Sequence, residues 1–403
     1  MKTVEGPIEE QQVLHPRAGR ASFVPRLGYE QQRLAPLLAG RGVTTTVSPL
    51  YYMAHNPELA LFARGDSAMG LALDPCTHLR QLAAADRAPA FRAAPFGRDE
   101  GAFEPDYWDL SENEIAELAR GPIELARARG ATLVLTAFHL AGGLGTRGRE
   151  LDLLLAEAGI AFFRQQRMDE PPDGAELTVR REVYATIAVR REALRTHYDR
   201  MRLADAYLEL GADGLWVKID GFGEAAARSD IRSAGSFLAT LRDAGLPVVA
   251  CGPGQLHLAL LVNDISSSVG LGEGERFKFP APRSKDWSGG RTHSIYHPRF
   301  LRAFRAGRYA DRAFQNSACR CGLHPPKSPP KGGQIDEHAA VVRADEARDA
   351  ISGERGQRRE WLSAVAAMAS HLGHDAEIDY TQSVALDALN AGIDEPNFDS
   401  LTG

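Results

Sequence analysis

At 403 residues, with 47 Lys+Arg against 53 Asp+Glu and a net charge of −6, the chain has the length for one large α/β core. Its overall charge excludes a globally basic nucleic-acid binder, so any basic surface must be local. Four cysteines are too few for a disulfide framework, no apolar run reaches membrane-spanning length, and the start (Met1-Lys-Thr-Val-Glu-Gly-Pro) lacks a signal-peptide core, which together predict a soluble cytoplasmic protein.

Residues 1–40 are polar, with Pro and Arg interspersed, and are expected to form an irregular arm over one end of the fold. The β-branched run 44–48 is the first expected strand, and Asn56-Pro57 opens a helix through Phe62. Residues 70–73 are a second strand, ending in Asp74-Pro75-Cys76-Thr77-His78. Residues 87–109 lack periodicity and read as a long loop. Ser111 and Glu114 have capping-box spacing, because hydroxyl and carboxylate satisfy each other's backbone N–H groups, and the helix they open runs to about Arg129. A third strand, 132–136, leads to Phe138, His139 and a glycine-rich turn at 142–145. Arg147 and Arg149 follow that turn, but it lacks the full spacing of a phosphate-cradling loop and is more simply a βα connection.

Residues 160–163 are read as a fourth strand leading to Met168-Asp169-Glu170, and 173–183 as helical. The fifth strand is 185–189, although its flanking arginines fit a helix equally; the following helix ends near Leu210. The segment 211–275 has the plainest pattern: strand 214–219, helix 224–244, strand 247–251, Gly252-Pro-Gly254, a short helix through Leu261, and strand 267–270. Short apolar runs bounded by Gly and Pro, alternating with helical periodicity, signal βα units and a parallel sheet. Eight such strands predict a (β/α)8 TIM barrel with a C-terminal zinc-binding insertion. The expected division is an arm at 1–40, the barrel at 41–310, a zinc-binding subdomain at 311–355 and a helical tail at 356–403, with 325–333 a linker-like run of Pro, Lys and Gly.

Three groups of residues carry candidate chemistry. Cys319-x-Cys321-x2-His324, with His338 beyond the linker, supplies the thiolate and imidazole ligands of tetrahedral Zn2+; four protein ligands leave no open position, so the ion would be structural. The bland alternative is two reduced cysteines and surface histidines in a loop. The stretch 277–308 interleaves Lys278, Arg283, Lys285, Arg291, Arg299, Arg302 and Arg305 with aromatic residues such as Trp287 and Tyr296, offering cations for phosphates and rings for stacking. A solvated helix with Phe300 and Phe304 packed inward explains the same stretch without a ligand. Polar residues also gather at predicted strand ends: Asp74, Asp169, Lys218, Asp220, Cys251, Asn263, Ser266, Ser267 and Ser268. A barrel brings such groups to one pocket, where carboxylates act as acid, base or base-edge acceptor, and a Lys in an apolar strand can form a Schiff base. Individually, each Asp equally suits a helix cap, and Lys218 an ion pair with Asp220 or Glu224.

Taken together, these pieces resemble the tRNA-guanine transglycosylase superfamily, a zinc-bearing barrel that exchanges a purine for a deazapurine in nucleic acid. Leu73-Asp74-Pro-Cys-Thr77 stands where the family has Asp-Ser-Gly-Gly, and Met168-Asp169-Glu170 resembles its base-reading Phe-Asp-Glu turn. The stretch 184–210 resembles its fifth strand and helix, 213–224 its Gly-Gly-Leu-Ala-Val-Gly-Glu strand, and Ala250-Cys-Gly-Pro-Gly254 its Gly-Val-Gly-Lys-Pro turn. The Cys-x-Cys-x2-His pattern with His338 mirrors its zinc site, and the resemblance spans roughly residues 70–355. The sequence departs from the family where Ser267 stands in place of the nucleophilic Asp, where Lys218 and Ile219 replace paired glycines, and where Arg190 or Arg191 replaces a Gln.

The resemblance implies a base-exchanging pentosyltransferase (a glycosyltransferase) that acts on or recognises a purine or 7-deazapurine base. Asp74, Asp169, Asp220, Lys218 and Ser267 would form its pocket. The expected partners are nucleic acid (tRNA or DNA) and a homo- or heterodimer mate, and no membrane. Two other readings stay open: a non-catalytic transglycosylase-like subunit or nucleic-acid-binding protein, and a barrel lyase or aldolase using Lys218.

Overall fold

The structure, a computed structural model, describes residues 15–58, 69–81, 89–94, 110–169, 181–223, 226–271, 294–375 and 382–394. Within them seven strands make one parallel sheet in chain order: β1 (Thr45–Pro49), β2 (Gly70–Asp74), β3 (Leu133–Leu135), β4 (Glu182–Arg190), β5 (Gly214–Asp220), β6 (Val248–Cys251) and β7 (Ser266–Ser268). Helices alternate with them: α1 (Ala35–Ala39) before β1, α2 (Leu50–His55) after it, and α3 (Pro89–Arg92) and α4 (Glu112–Ala128) between β2 and β3. Then come α5 (Arg147–Asp169), α6 (His197–Leu208), α7 (Arg228–Asp243) and α8 (His257–Val262), one in each later connection. The α/β fold is barrel-like and compatible with a TIM barrel.

Closure comes from the N-terminal arm. Val24 and Arg26 donate backbone N–H bonds to Ser267 and Val269 on one side, at 2.9 and 2.8 Å, while Leu27 donates to Val47 on the other, at 2.8 Å. Both contacts are parallel, so residues 22–27 join β7 to β1 and stand as the eighth stave, ahead of α1. Residues just before them lie across the barrel's amino-terminal end, where the Tyr184 hydroxyl donates to the Pro16 carbonyl at 3.0 Å.

The expected fourth strand, 160–163, is instead part of α5. Leu151, Leu155, Ile160 and Phe163 are among its buried residues, a helical spacing that a four-residue apolar window cannot distinguish from a strand. Residues 182–183 open β4 rather than end a helix; residues 173–180 of the expected helix, like 59–62 and most of the 87–109 loop, lie outside the described residues. The capping box forms as expected, with Ser111 N–H to Glu114 Oε2 at 2.9 Å and Glu114 N–H to Ser111 Oγ at 3.4 Å.

Strand alternation sorts the sheet into two faces. Val24, Val47, Ala72, Leu133, Leu135, Tyr184, Trp216, Val249 and Cys251 fill the inside, while their chain neighbours, such as Leu71, Val134, Ile187 and Ala250, pack outward on the helices. Gly214 makes the interior possible at one level: a Cβ there would sit 2.5 Å from the Tyr184 ring.

Beyond the barrel, β8 (Ser294–His297) and β9 (Arg302–Arg305) form an antiparallel hairpin, and α9 (Arg308–Asn316) follows. The solvated-helix alternative for the 277–308 stretch is thereby excluded over 302–305. Phe300 and Phe304 do pack inward, ring edge to ring face at 5.5 Å. With Ile295, Tyr296, Phe314, Cys319 and Val342 they make a small core of their own, against α10 (Gln334–Ile351). α11 (Arg355–Asp375) and α12 (Gln382–Ile393) are the last elements among the described residues, α12 lying on α7. Among the described residues, no helix is long and apolar enough to cross a membrane.

Candidate functional site: barrel mouth and metal cluster

At the carboxyl ends of the strands the inward side chains become polar. Lys218 is in register with Cys251, and Cys251 with Ser268, so all three point into the barrel at one level. Asp74, the last residue of β2, reaches them: Lys218 Nζ donates to Asp74 Oδ2 at 2.5 Å, and both side chains are almost wholly buried. The ammonium also lies 4.1 Å from the Phe138 ring centroid, a cation–π contact that a water-excluding site strengthens. His78 stacks on the other part of this wall, its ring 5.0 Å from that of Phe138. Arg26 shares the face of Val47 and so also points inward.

These neighbours fix the protonation states. Burial by itself would push the Asp74 carboxyl up, but the Lys218 ammonium and the Arg26 guanidinium outweigh it and hold the group down at about 2. Burial, reinforced by Lys218, keeps His78 far below its ordinary value and therefore neutral. Burial also pushes the Cys76 and Cys251 thiols up, so neither is a ready nucleophile. Cys76 adopts a left-handed φ of 52° directly after the Asp74-Pro75 step, and its N–H donates to Asp74 Oδ1 at 3.0 Å. A strained non-glycine residue that helps orient the carboxylate is a common feature of functional sites.

Of the five expected pocket residues, Asp74, Lys218 and Asp220 share this end, Asp220 half-buried two positions beyond Lys218. Ser267 does not join them. It is in register with Phe23 and Ala250, which face the helices, so its buried hydroxyl points out of the barrel. A one-residue offset in a strand reverses the face, and Ser268 occupies the inward position instead. Asp169 ends α5, which places its backbone at the amino-terminal end of the strands, opposite Asp74; the misread fourth strand is the cause. Asn263 and Asp264 also lie at that opposite end, immediately before β7, where Asp264 pairs with Arg358 at 2.8 Å. Arg149 is not available to an anion: it is buried against Asp152, at 2.7 Å, Tyr207 and the Ala188 carbonyl. Arg26 belongs to the arm, whose sequence carries no strand signature of its own.

The second site is the Cys/His cluster. Cys319, Cys321, His324 and His338 each offer a ligand atom, all within 4.8 Å of one another. His338 Nδ1 lies 3.9 Å from Cys319 Sγ, 3.4 Å from Cys321 Sγ and 3.1 Å from His324 Nε2. Tetrahedral vertices around a zinc-sized ion with thiolate and imidazole ligands are about 3.3–3.8 Å apart, and these separations of 3.1–3.9 Å bring the donors close enough that they could hold a metal ion. Each imidazole is turned by its other nitrogen, His338 Nε2 to the Tyr296 carbonyl at 2.7 Å and His324 Nδ1 to the Pro325 carbonyl at 3.0 Å. That second contact leaves Nδ1 of His338 and Nε2 of His324 free to ligate. Backbone N–H groups of Cys321 and Leu323 donate to the sulfurs of Cys319 and Cys321, both at 3.4 Å.

Of the expected nucleic-acid residues, Lys278, Arg283, Lys285, Trp287 and Arg291 lie outside the described residues. Arg302 and Arg305 are exposed on β9, and Arg299 borders Met368 of α11. Tyr296 is not a stacking platform: it is 1 % exposed, its hydroxyl donates to Glu346 at 2.9 Å, and the Arg343 guanidinium covers its ring at 4.1 Å.

Neither a protein-family model nor a curated protein matches this sequence. Fold and sites define a class: a barrel-like parallel α/β protein with a buried Lys–Asp pair at its mouth and a four-residue Cys/His cluster, able to hold a metal ion, in an adjoining small core.

Proposed function

We propose that this protein is a transglycosylase-like barrel that binds nucleic acid and recognises a purine-type base without exchanging it, and that its Cys/His cluster holds a structural zinc ion. The Lys218–Asp74 pair, at 2.5 Å inside the carboxyl end of the barrel, is the observation behind this reading. An ionised carboxylate accepts hydrogen bonds from the N–H edge of a purine, and an ammonium beside it donates to an exocyclic oxygen. Base exchange needs a carboxylate to attack the ribose carbon, whereas position 267 holds a hydroxyl that faces the helices. Arg302 and Arg305 on the exposed strand β9 would meet phosphates. In the metal cluster four protein ligands complete the tetrahedron, so the ion would organise the fold and supply no reaction.

The test combines binding with turnover. Single-stranded and structured RNA and DNA should bind at low salt, with affinity falling steeply as salt rises, and labelled guanine should not enter the bound nucleic acid. Absence of binding to every probe would sink the nucleic-acid reading; incorporated label would sink the non-catalytic one. A second reading, a Schiff-base lyase or aldolase, draws on the burial of Lys218 at the barrel mouth against Phe138. It requires the amine to leave Asp74, and borohydride trapping of a carbonyl compound on Lys218 would establish it.

A further inference from the structure

At the end of the barrel opposite the mouth lies a groove of about 1020 Å³, walled by the arm around Arg17–Arg20, the connection into β1 and the turn between α10 and α11. Two of these walls turn through left-handed glycines, Gly19 (φ 69°) and Gly42 (φ 83°), where an added Cβ would touch nothing; the requirement there is conformational. Every lysine or arginine that lines the groove is an arginine: Arg17, Arg20, Arg41, Arg348 and Arg358. Among the described residues, carboxylates answer only part of this charge. Asp345 is shared by Arg41, at 2.8 Å, and Arg348, at 3.0 Å, and Asp264 pairs with Arg358 at 2.8 Å. Among the described residues, five guanidiniums against these two carboxylates leave a surplus of three positive charges. Arg17 and Arg20 are exposed on their turn. Arg358 is only 8 % exposed, and its Nε has no hydrogen-bond partner among the described residues although the side chain lines the groove.

We infer that this groove is a binding site for a ligand with two or more phosphate groups. A buried guanidinium with an unmatched donor is costly unless an acceptor reaches it. Guanidinium forks match phosphate oxygens two at a time, and closely spaced cations favour a multiply charged anion over a single carboxylate. The volume exceeds what one inorganic ion needs and suits a diphosphate unit with an attached group, or two successive phosphodiesters of a strand. The inference is independent of the reading of the mouth, because the two sites lie at opposite ends of the barrel and share no residue.

Calorimetry on the full chain at low salt, with pyrophosphate, a nucleoside diphosphate, a short single-stranded DNA and citrate as probes, tests it. Pyrophosphate should bind more tightly than citrate, and the Arg17→Ala/Arg20→Ala variant should lose about tenfold or more in affinity through two lost charge-assisted contacts. These arginines are exposed, so the variant's melting temperature should match the parent's. Binding of the diphosphates without the DNA identifies a free ligand, and binding of the DNA with loss in the Arg17/Arg20 variant identifies a strand; either supports the site. No pyrophosphate binding, equal binding of citrate, or an affinity untouched by the Arg17/Arg20 replacement would overturn it.

Discussion

Lys218 and Asp74 meet inside the barrel, where removing one ion leaves the other buried without its nearest counter-charge. Replacing Lys218 with Met should therefore cost about 3–5 kcal/mol in urea unfolding, while replacing both residues with apolar ones should recover most of the loss. The pH dependence follows from the lowered carboxyl: held at about 2 in the folded chain and near 4 when unfolded, Asp74 contributes stability above roughly pH 4 that is lost as pH falls toward 2. Glu346 behaves oppositely. Burial pushes its carboxyl up to about 8, against the opposing pull of Arg343, so the folded state holds the proton and stability declines as pH rises from about 4 to 8. Glu346→Gln keeps a hydrogen-bond acceptor for the Tyr296 hydroxyl and removes the ionisation. It should stabilise the protein by on the order of 2 kcal/mol at pH 8, with the difference vanishing near pH 4. Matched denaturation curves at the two pH values measure this directly.

Individual elements owe their places to packing as much as to propensity. α12 lies so close to α7 that a Cβ on Gly392 would sit 2.1 Å from the Arg232 carbonyl oxygen, and one on Gly235 would sit 2.8 Å from that of Leu389. Backbone cannot yield there as a flexible side chain would, so Gly392→Ala should displace α12 and cost about 1–3 kcal/mol or more, read as a lowered melting temperature. Amide exchange should rise in 382–394 first, with β4 and β5 still protected. The capping box of α4 and the strands of the 211–275 segment were legible because their signals are local: two side chains three residues apart, and apolar runs bounded by turns. The 160–163 run was misread because four apolar residues fit either period, and burial on both sides of the window decided for the helix.

For the molecule as a whole, the metal cluster should separate the two cores. Purified protein should hold about one zinc ion per chain, bound by Cys319, Cys321, His324 and His338. Chelation should release it and loosen the hairpin and α9, whose small core includes Cys319, while the barrel's far-ultraviolet signal persists. Metal content well below stoichiometric after preparation in zinc-containing medium, or a Cys319→Ser/His338→Ala variant that retains the ion, would remove this assignment.

The sequence by itself determined the alternating α/β pattern, seven of the strands to within a few residues, and the Cys/His ligand spacing, because each depends on residues near one another in the chain. It also marked Asp74 as a carboxylate ending an apolar run and Lys218 as a lysine within one. Tertiary structure alone decided that these two, 144 residues apart, touch, that Arg26 faces them, and that Ser267 does not. It also decided that the arm closes the barrel: residues 22–27 have no independent strand signature and take their conformation from the unpaired edges of β7 and β1 on either side. An open sheet edge leaves backbone donors and acceptors unsatisfied, and satisfying both edges with one segment is a long-range requirement that no local window of sequence expresses.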